Sequence, residues 1–393
     1  MQHKKLFNLL ILYLCTILTM GVMYAPQPLQ PYFEQMLGIS KTQAALFTTA
    51  ILVPLSFSSI FYGYLLEKIS IRKLLITVFF IFSLSEFLFA TVSTYPYFIS
   101  IRILQGFIVP AALTGIMSYI SHTSLKDRIG RAIGAYIGMT IAGGFLGRFL
   151  AGFCTDVFGW RFFFYALSIL LLIVTLILTK TLEEIQNTVV KPKLSYLPKI
   201  WSIKRNLYIF TAIFGLFFVF QATLNVLPFE LKRLDGVFSG SKTGFMYAGY
   251  VVGIFVSFNV SRIVKIFRQP ENAVLFGLFV YLISLQILHI EQFAIILLAT
   301  IVFYFGSFTA HSIATAYINK KTTSHKPITN GMYISSYYCG GALGSFLPGF
   351  IYAAYGWHIF LGVLSGFVCV SIVLILLLKR YEHNKRKKNI QAA

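Results

Sequence analysis

The 393-residue chain is 57% hydrophobic and 17% aromatic, carries only 11% charged residues and has a mean hydropathy of +0.77. A water-soluble domain cannot bury that much apolar surface, so composition excludes a soluble enzyme or binding module and points to a bilayer. The net charge of +21 does not argue for nucleic acid, because the basic residues lie in short runs between apolar segments and form no basic domain.

Twelve apolar segments are long enough to span a membrane. They are centred within 6–32, 42–66, 74–93, 96–121, 131–155, 159–180, 206–230, 242–264, 271–290, 293–318, 328–353 and 357–379. The first is not followed by a small-residue cleavage site and reads as a span, not a removed signal. Charge or turn residues mark the breaks, as at Tyr95-Pro96, Gln269-Pro270 and Lys320 to Pro327. With the N-terminus in the cytoplasm, 26 of the 33 Lys and Arg fall on the cytoplasmic side and 5 opposite, while Arg102 and Arg148 remain inside spans. That asymmetry places both termini in the cytoplasm of a bacterial-type inner membrane and accounts for the basic composition.

The expected organisation is all-α, with twelve transmembrane helices in two pseudo-symmetric six-helix halves. The first half covers 1–180 and the second 206–379. Between them, 181–205 reads as a cytoplasmic linker containing Pro192 and Pro198, with Tyr196, Ile200 and Trp201 suited to the membrane surface. A basic tail, 380–393, is expected near anionic lipid. The four cysteines, Cys15, Cys154, Cys339 and Cys369, lie in apolar segments without ligand spacing and read as packing residues.

The two halves show internal duplication. Residues 134–161 read GAYIGMTIAGGFLGRFLAGFCTDVFGWR, and 331–358 read GMYISSYYCGGALGSFLPGFIYAAYGWH. At a constant shift of 197 residues, 13 of 28 positions are identical, including Gly143/Gly340, Gly144/Gly341, Gly147/Gly344 and Trp160/Trp357. The copies are six spans apart, so they point the same way and imply an axis along the membrane normal. Small residues four apart allow close helix approach and are expected to let spans 5 and 11 slide against the opposite half.

Several motifs resemble the major facilitator superfamily, in particular its twelve-span drug:proton antiporters. Arg102-Ile-Leu-Gln105-Gly106 resembles the R-x-x-Q-G motif of span 4. The stretch from Gly63 to Lys73 resembles the cytoplasmic loop after span 2 and includes Gly63 and Arg72, with Glu67 in place of Asp, Ser70 of Gly and Ile71 of Arg. GVMYAPQPLQP, from Gly21 to Pro31, is similar to the proline-ended first helix. In span 5, Met139-Thr140 stand where the antiporters carry Gly-Pro. The resemblance implies the two-half fold, transport of a small molecule with protons, monomeric function, and a part for Arg102 in coupling or substrate binding.

The candidate pathway residues each have a structural alternative. Arg102 either serves transport or is satisfied by neighbouring carbonyls. Glu86, the only carboxylate well inside a span, either takes up and releases a proton or packs by hydrogen bonding. Arg148 has Ser345 as its repeat partner. It can hold an anionic substrate group or Glu86, or snorkel towards the outer interface beside Asp156. Tyr24, Gln27 and Gln30 surround the prolines of span 1, and Gln221 and Asn225 precede Pro228 in span 7. These groups either orient a polar substrate or bond between helices. Tyr304, His311, Tyr337 and Tyr338 add aromatic and titratable groups in the second half.

No P-loop, metal cluster or nucleophile triad is present, so neither a cofactor nor an enzymatic activity is expected. The leading expectation is a secondary transporter exporting a small amphipathic molecule in exchange for protons, with multidrug resistance as its associated role. The alternative is proton-coupled transport of a sugar or metabolite in either direction, which needs more carboxylates and amides than the spans contain. A non-transporting receptor or scaffold requires an additional domain that the sequence does not show.

Overall fold

A computed structural model describes residues 2–65, 69–124, 129–185, 196–322 and 326–391. Among these residues all regular structure is helical, because lipid offers backbone groups no partners and a helix satisfies them internally. The helices are α1 (Gln2–Tyr24), α2 (Gln30–Leu37), α3 (Lys41–Leu65), α4 (Ile71–Thr91), α5 (Tyr95–Thr123), α6 (Ile129–Phe158) and α7 (Trp160–Thr181). They continue with α8 (Leu197–Trp201), α9 (Lys204–Asp235), α10 (Gly240–Phe245), α11 (Tyr250–Ile266), α12 (Pro270–Ile287), α13 (Phe293–Lys321) and α14 (Lys326–Gln391).

Among the described residues, ten helical stretches are long and apolar enough to cross a membrane. One of them, Ile328–Lys385, turns at Gly356 (φ 77°, ψ −174°) and is two spans in sequence. The 25-residue α3 is a further helix of spanning length. Gly356 has its duplicate at Gly159, φ 86°. Positive φ strains any residue with a Cβ, so glycine is retained in both copies and the Trp after it starts the next span. Trp160 and Trp357 are each 3% exposed.

The chain forms two compact units. One comprises 1–191 with 225–251; the other comprises 192–224 with 252–393. In the first unit, α1 packs on α6, α3 on α5, and α4 on α5 and α7, while α10 packs on α6. The prolines of the first span divide it into α1, a 3-10 turn over Gln27–Leu29, and α2, which ends at left-handed Gly38 (φ 61°). An aromatic cluster holds α2 in place: Phe33 stacks on Phe47 at 4.7 Å and meets Trp160 edge-on at 5.3 Å, and Phe89 meets Phe164 at 4.6 Å. Ser70 caps α4 and bonds Glu184 (3.0 Å), which Lys73 also approaches at 3.4 Å. The Ser70 hydrogen bond, then the Lys73 charge, hold the exposed Glu184 carboxyl below its ordinary range.

The duplicated glycines meet equivalent partners. A Cβ on Gly143 or Gly147 would strike the backbone of Ile17 or Gly21 in α1. A Cβ on Gly340 or Gly344 would strike Phe214 or Phe218 in α9. The partners are themselves related by the 197-residue shift. These four glycines therefore join helices of the same sequence half, whereas sliding against the opposite half was expected for them. The reason is their register, which points them at the first span of their own repeat. Gly144 and Gly152 instead meet Tyr250 and Gly240, on the 225–251 segment of the same unit.

In the second unit α12 packs on α13 and α14. At one corner Trp357 Nε1 donates to Leu288 O (2.9 Å), and His289 and His358 share an Nδ1···Nδ1 hydrogen bond of 2.9 Å. His358 Nε2 lies 3.3 Å from Glu291. Burial, then the neighbouring His358, hold the His289 pKa below the ordinary imidazole value. A lowered folded-state value means that this corner contributes its full stability above about pH 6.5. The contribution is lost as the pH falls through the lower His289 value. Protection factors of the amides around 287–293, with the intrinsic exchange rate at each pH divided out, are expected to fall on acidification in the wild type and to lose that dependence in His289→Gln.

Gly344→Val, which drives side-chain atoms into the Phe218 backbone, is expected to cost about 1–3 kcal/mol. Gly349→Ala, with open space around it, is expected to leave the melting temperature in detergent unchanged.

Candidate functional site

In the first unit, the break in span 1 creates a requirement that span 4 meets. Pro26 has no N–H, so the Val22 carbonyl one turn earlier loses its helical partner. Arg102 supplies it: Nη1 donates to Val22 O at 2.6 Å and Nη2 to Met23 O at 2.5 Å. Its Nε donates to Phe47 O at 2.8 Å. Nη1 also reaches Gln105 Oε1 (2.7 Å), and Gln105 Nε2 passes on to Ser85 Oγ (3.0 Å) and Glu86 Oε1 (2.9 Å). Arg102 and Glu86 are each 1% exposed, and Glu86 Oε2 has no partner among the described residues. Gly106, one residue on, brings α5 against Ile51 and Pro54 of α3. Ser83, one turn before Glu86 on α4, bonds Ser168 O of α7.

Arg148 lies elsewhere in the same unit, fully buried. Its Nε donates to Gln27 Oε1 (2.7 Å) and its Nη1 to Gly144 O (2.6 Å). The guanidinium carbon lies 3.9, 4.9 and 5.0 Å from the ring centres of Tyr24, Tyr247 and Tyr250. Nη2 has no hydrogen-bond partner, and no carboxylate pairs with Arg148 among the described residues. It therefore neither holds Glu86 nor reaches an interface beside Asp156. Gln27 Nε2 donates to Asn225 Oδ1 (2.6 Å), and Gln30 Nε2 reaches Asn225 Oδ1 (3.2 Å) and Thr48 Oγ1 (2.8 Å). Tyr24, Gln27, Gln30, Asn225 and Arg148 thus form one polar cluster.

The second unit gathers the remaining candidates along an aromatic wall. Tyr337 stacks on Phe217 (3.6 Å, 14°) and lies 4.4 Å from the His311 ring. His311 Nδ1 approaches the Tyr333 hydroxyl at 3.2 Å. Tyr338 meets Phe217 edge-on, and Tyr304 meets Phe220. Gln221 is fully buried beside Gly341, and neither of its amide atoms has a hydrogen-bond partner among the described residues. Arg72 is separate from these groups and donates to Thr179 O at 2.6 Å. Gly63 lies in α3, and Glu67 lies outside the described residues.

Three residues were not singled out from sequence for a role in the site. Tyr247 and Tyr250 cover Arg148 from the 3-10 step Met246–Gly249. Asp156 accepts from the backbone N–H groups of Gly240 and Ser241, both at 2.8 Å, at the start of α10. The glycines at 240, 244 and 249 were the available signal, marking a second interrupted helix.

A sequence profile of the Major Facilitator Superfamily matches residues 12–326 and 237–393. The chain belongs to the Major Facilitator Superfamily. It is an integral membrane transporter of that type. Over 381 residues it is 24% identical to the inner membrane transport protein YnfM of Escherichia coli (strain K12), covering 96% of this chain and 90% of that protein. It is 23% identical to multidrug resistance protein 2 of Bacillus subtilis (strain 168), covering 93% and 92%. Among solved folds of the superfamily, a bacterial homologue of the human lysosomal transporter Spinster superposes with a TM-score of 0.79 at 14% identity, covering 95% of this chain and 96% of that one. The nucleoside transporter NupG gives 0.78 at 14% identity, covering 95% and 99%.

Arg102→Ala strands the carbonyls of Val22 and Met23 and removes the Gln105 anchor. The expected loss is about 3–5 kcal/mol of stability, seen as a lower melting temperature in detergent. Arg102→Lys is expected to recover only part of it, since an ammonium cannot span three carbonyls in a planar fork.

Proposed function

We propose that the chain exports a small amphipathic molecule by alternating access in exchange for protons, with Glu86 as the proton-carrying group. The observation that carries this reading is the setting of Glu86. It is 1% exposed and bonded on one oxygen by a neutral amide, with the other oxygen unpartnered. A carboxylate fixed in a direct structural ion pair holds its charge, whereas Glu86 has an amide for a partner on one oxygen and an open position on the other where a proton can sit. Gln105 links it to Arg102, so a change of charge at Glu86 is felt at the broken first span. Export is supported by the R-x-x-Q-G resemblance and by the similarity to a multidrug resistance protein. The aromatic wall of the second unit suits an apolar body with few polar anchors.

The distribution of Lys and Arg supports an inner-membrane location with both termini cytoplasmic. The unit is read as a monomer.

Sealed vesicles containing the purified protein and an imposed pH gradient test the reading. Addition of a transported amphiphile is expected to release protons through the wild type, and Glu86→Gln is expected to abolish that release while keeping gradient-independent exchange. Normal coupled flux through Glu86→Gln removes Glu86 as the carrier, and no flux over a broad panel of amphiphiles removes the exporter.

A further inference from the structure

Arg148 has no structural debt to explain it. Arg102 shows what a structural arginine looks like in this chain: three backbone carbonyls and one side-chain oxygen take four of its five N–H donors, with every nitrogen engaged. Arg148 has one carbonyl, one amide oxygen and a side-chain interaction with Tyr250, while Nη2 lacks a hydrogen bond among the described residues, all at zero exposure. A buried cation left without an acid is costly unless something else supplies the charge. The duplication adds an internal control. At the equivalent place stands Ser345, whose hydroxyl reaches Ala342 O of its own helix (2.8 Å), and Gly340 and Gly344 still seat that helix on α9. Packing of this span therefore does not require an arginine.

We infer that Arg148 is the anchor for a carboxylate, and that the transported molecule is a monocarboxylate with an apolar, ring-bearing body. This rests on the transporter reading and deepens it. The guanidinium offers Nη2 N–H donors to a carboxylate oxygen. The surrounding tyrosine faces offer an apolar, polarisable wall for the attached ring. One guanidinium suits a monoanion. The same charge repels the lipophilic cations that an aromatic-rich cavity would otherwise attract. Gln30, joined to the guanidinium through Asn225 and Gln27, has an unpartnered, buried Oε1. That oxygen accepts from a hydroxyl group on the same ligand.

The covering rings come from interrupted helices. Tyr24 is the last residue of α1 before Pro26, and Tyr247 lies in the 3-10 step before α11, with Tyr250 at the first position of that helix. Rings carried at such breaks can turn away without unzipping a continuous helical ladder. The segment bearing Tyr247 and Tyr250 meets α6 through Gly240 and Gly244, which lie against the backbones of Gly152 and Phe149. Its attachment beside the arginine is thus a close glycine contact, tied at one end by the Asp156 carboxylate, which accepts from the Gly240 and Ser241 N–H groups.

The test uses the full chain in detergent without any gradient. Benzoate, phenylacetate, 4-phenylbutyrate and 4-hydroxybenzoate are titrated by calorimetry and thermal shift, beside the matched amides and benzylamine. At least one acid is expected to bind about tenfold or more tightly than its amide, with no stabilisation by benzylamine. Arg148→Ala is expected to remove the preference for acid over amide; if that variant does not fold, Arg148→Lys is expected to weaken acid binding about tenfold while keeping its sign, because the charge remains and the fork is lost. Amides or benzylamine matching every acid overturns the assignment, as does an Arg148 variant that keeps the wild-type preference. Carboxylate binding with no flux in vesicles would leave this site standing and remove the exporter. Proton-coupled flux of neutral or cationic amphiphiles without carboxylate binding would do the reverse.

Discussion

The first unit depends on one exchange of hydrogen-bond partners. Pro26 deprives Val22 of its helical donor, and Arg102 provides one from α5. In a bilayer the deprived carbonyl has no water to turn to, so the break in span 1 and the buried arginine in span 4 require each other. The exchange fixes the end of α1, and the turn after it carries Gln27 and Gln30 into the polar cluster. The aromatic packing of Phe33 against Phe47 and Trp160 then holds α2 where the break leaves it. Tyr24, at the same break, is thereby placed over Arg148. The two buried arginines are connected through one proline-broken helix, although they make no contact with each other.

The duplicated glycines are a second constraint of the same type. In both copies a helix approaches the first span of its own repeat so closely that backbone meets backbone, at partners again 197 residues apart. Such contacts depend on dispersion and close fit, since lipid removes the hydrophobic drive for helices to associate. They tolerate no Cβ, which explains why glycine persists there while side chains around it have diverged. Gly159 and Gly356 persist for a different reason, the positive φ of the turn that separates consecutive spans.

Much of this was legible in the sequence. Span positions follow from hydropathy and bilayer thickness, and the duplication from a gap-free match. The membership of Gly143 and Gly147 in a packing face was also legible, but their partner was not: register around a helix axis decides it, and a shift of one position would have turned them elsewhere. The saturation of Arg102 was hidden for a related reason. Its acceptors are the carbonyls of residues about 80 and 55 positions away, and no residue type announces a deprived carbonyl except the proline four positions later. Tyr247 and Tyr250 escaped notice because tyrosine is abundant in this chain, with 23 copies. Only the placement of the 225–251 segment against α6 distinguishes them from the rest.

The repeat lets the chain serve as its own comparison. Where both copies keep a residue, the fold is sufficient explanation, as for the glycine pairs and for the tryptophan that starts each following span. Where the copies differ, the fold has been satisfied twice with different chemistry, and the difference needs a cause outside packing. Arg148 against Ser345 is the clearest such difference. A serine there reaches a carbonyl of its own helix; an arginine takes an amide, a carbonyl and three aromatic rings, and its Nη2 still lacks a hydrogen bond among the described residues. Retaining so demanding a residue in one copy alone is economical only if the leftover donor has a partner that comes and goes, and a transported anion meets that condition.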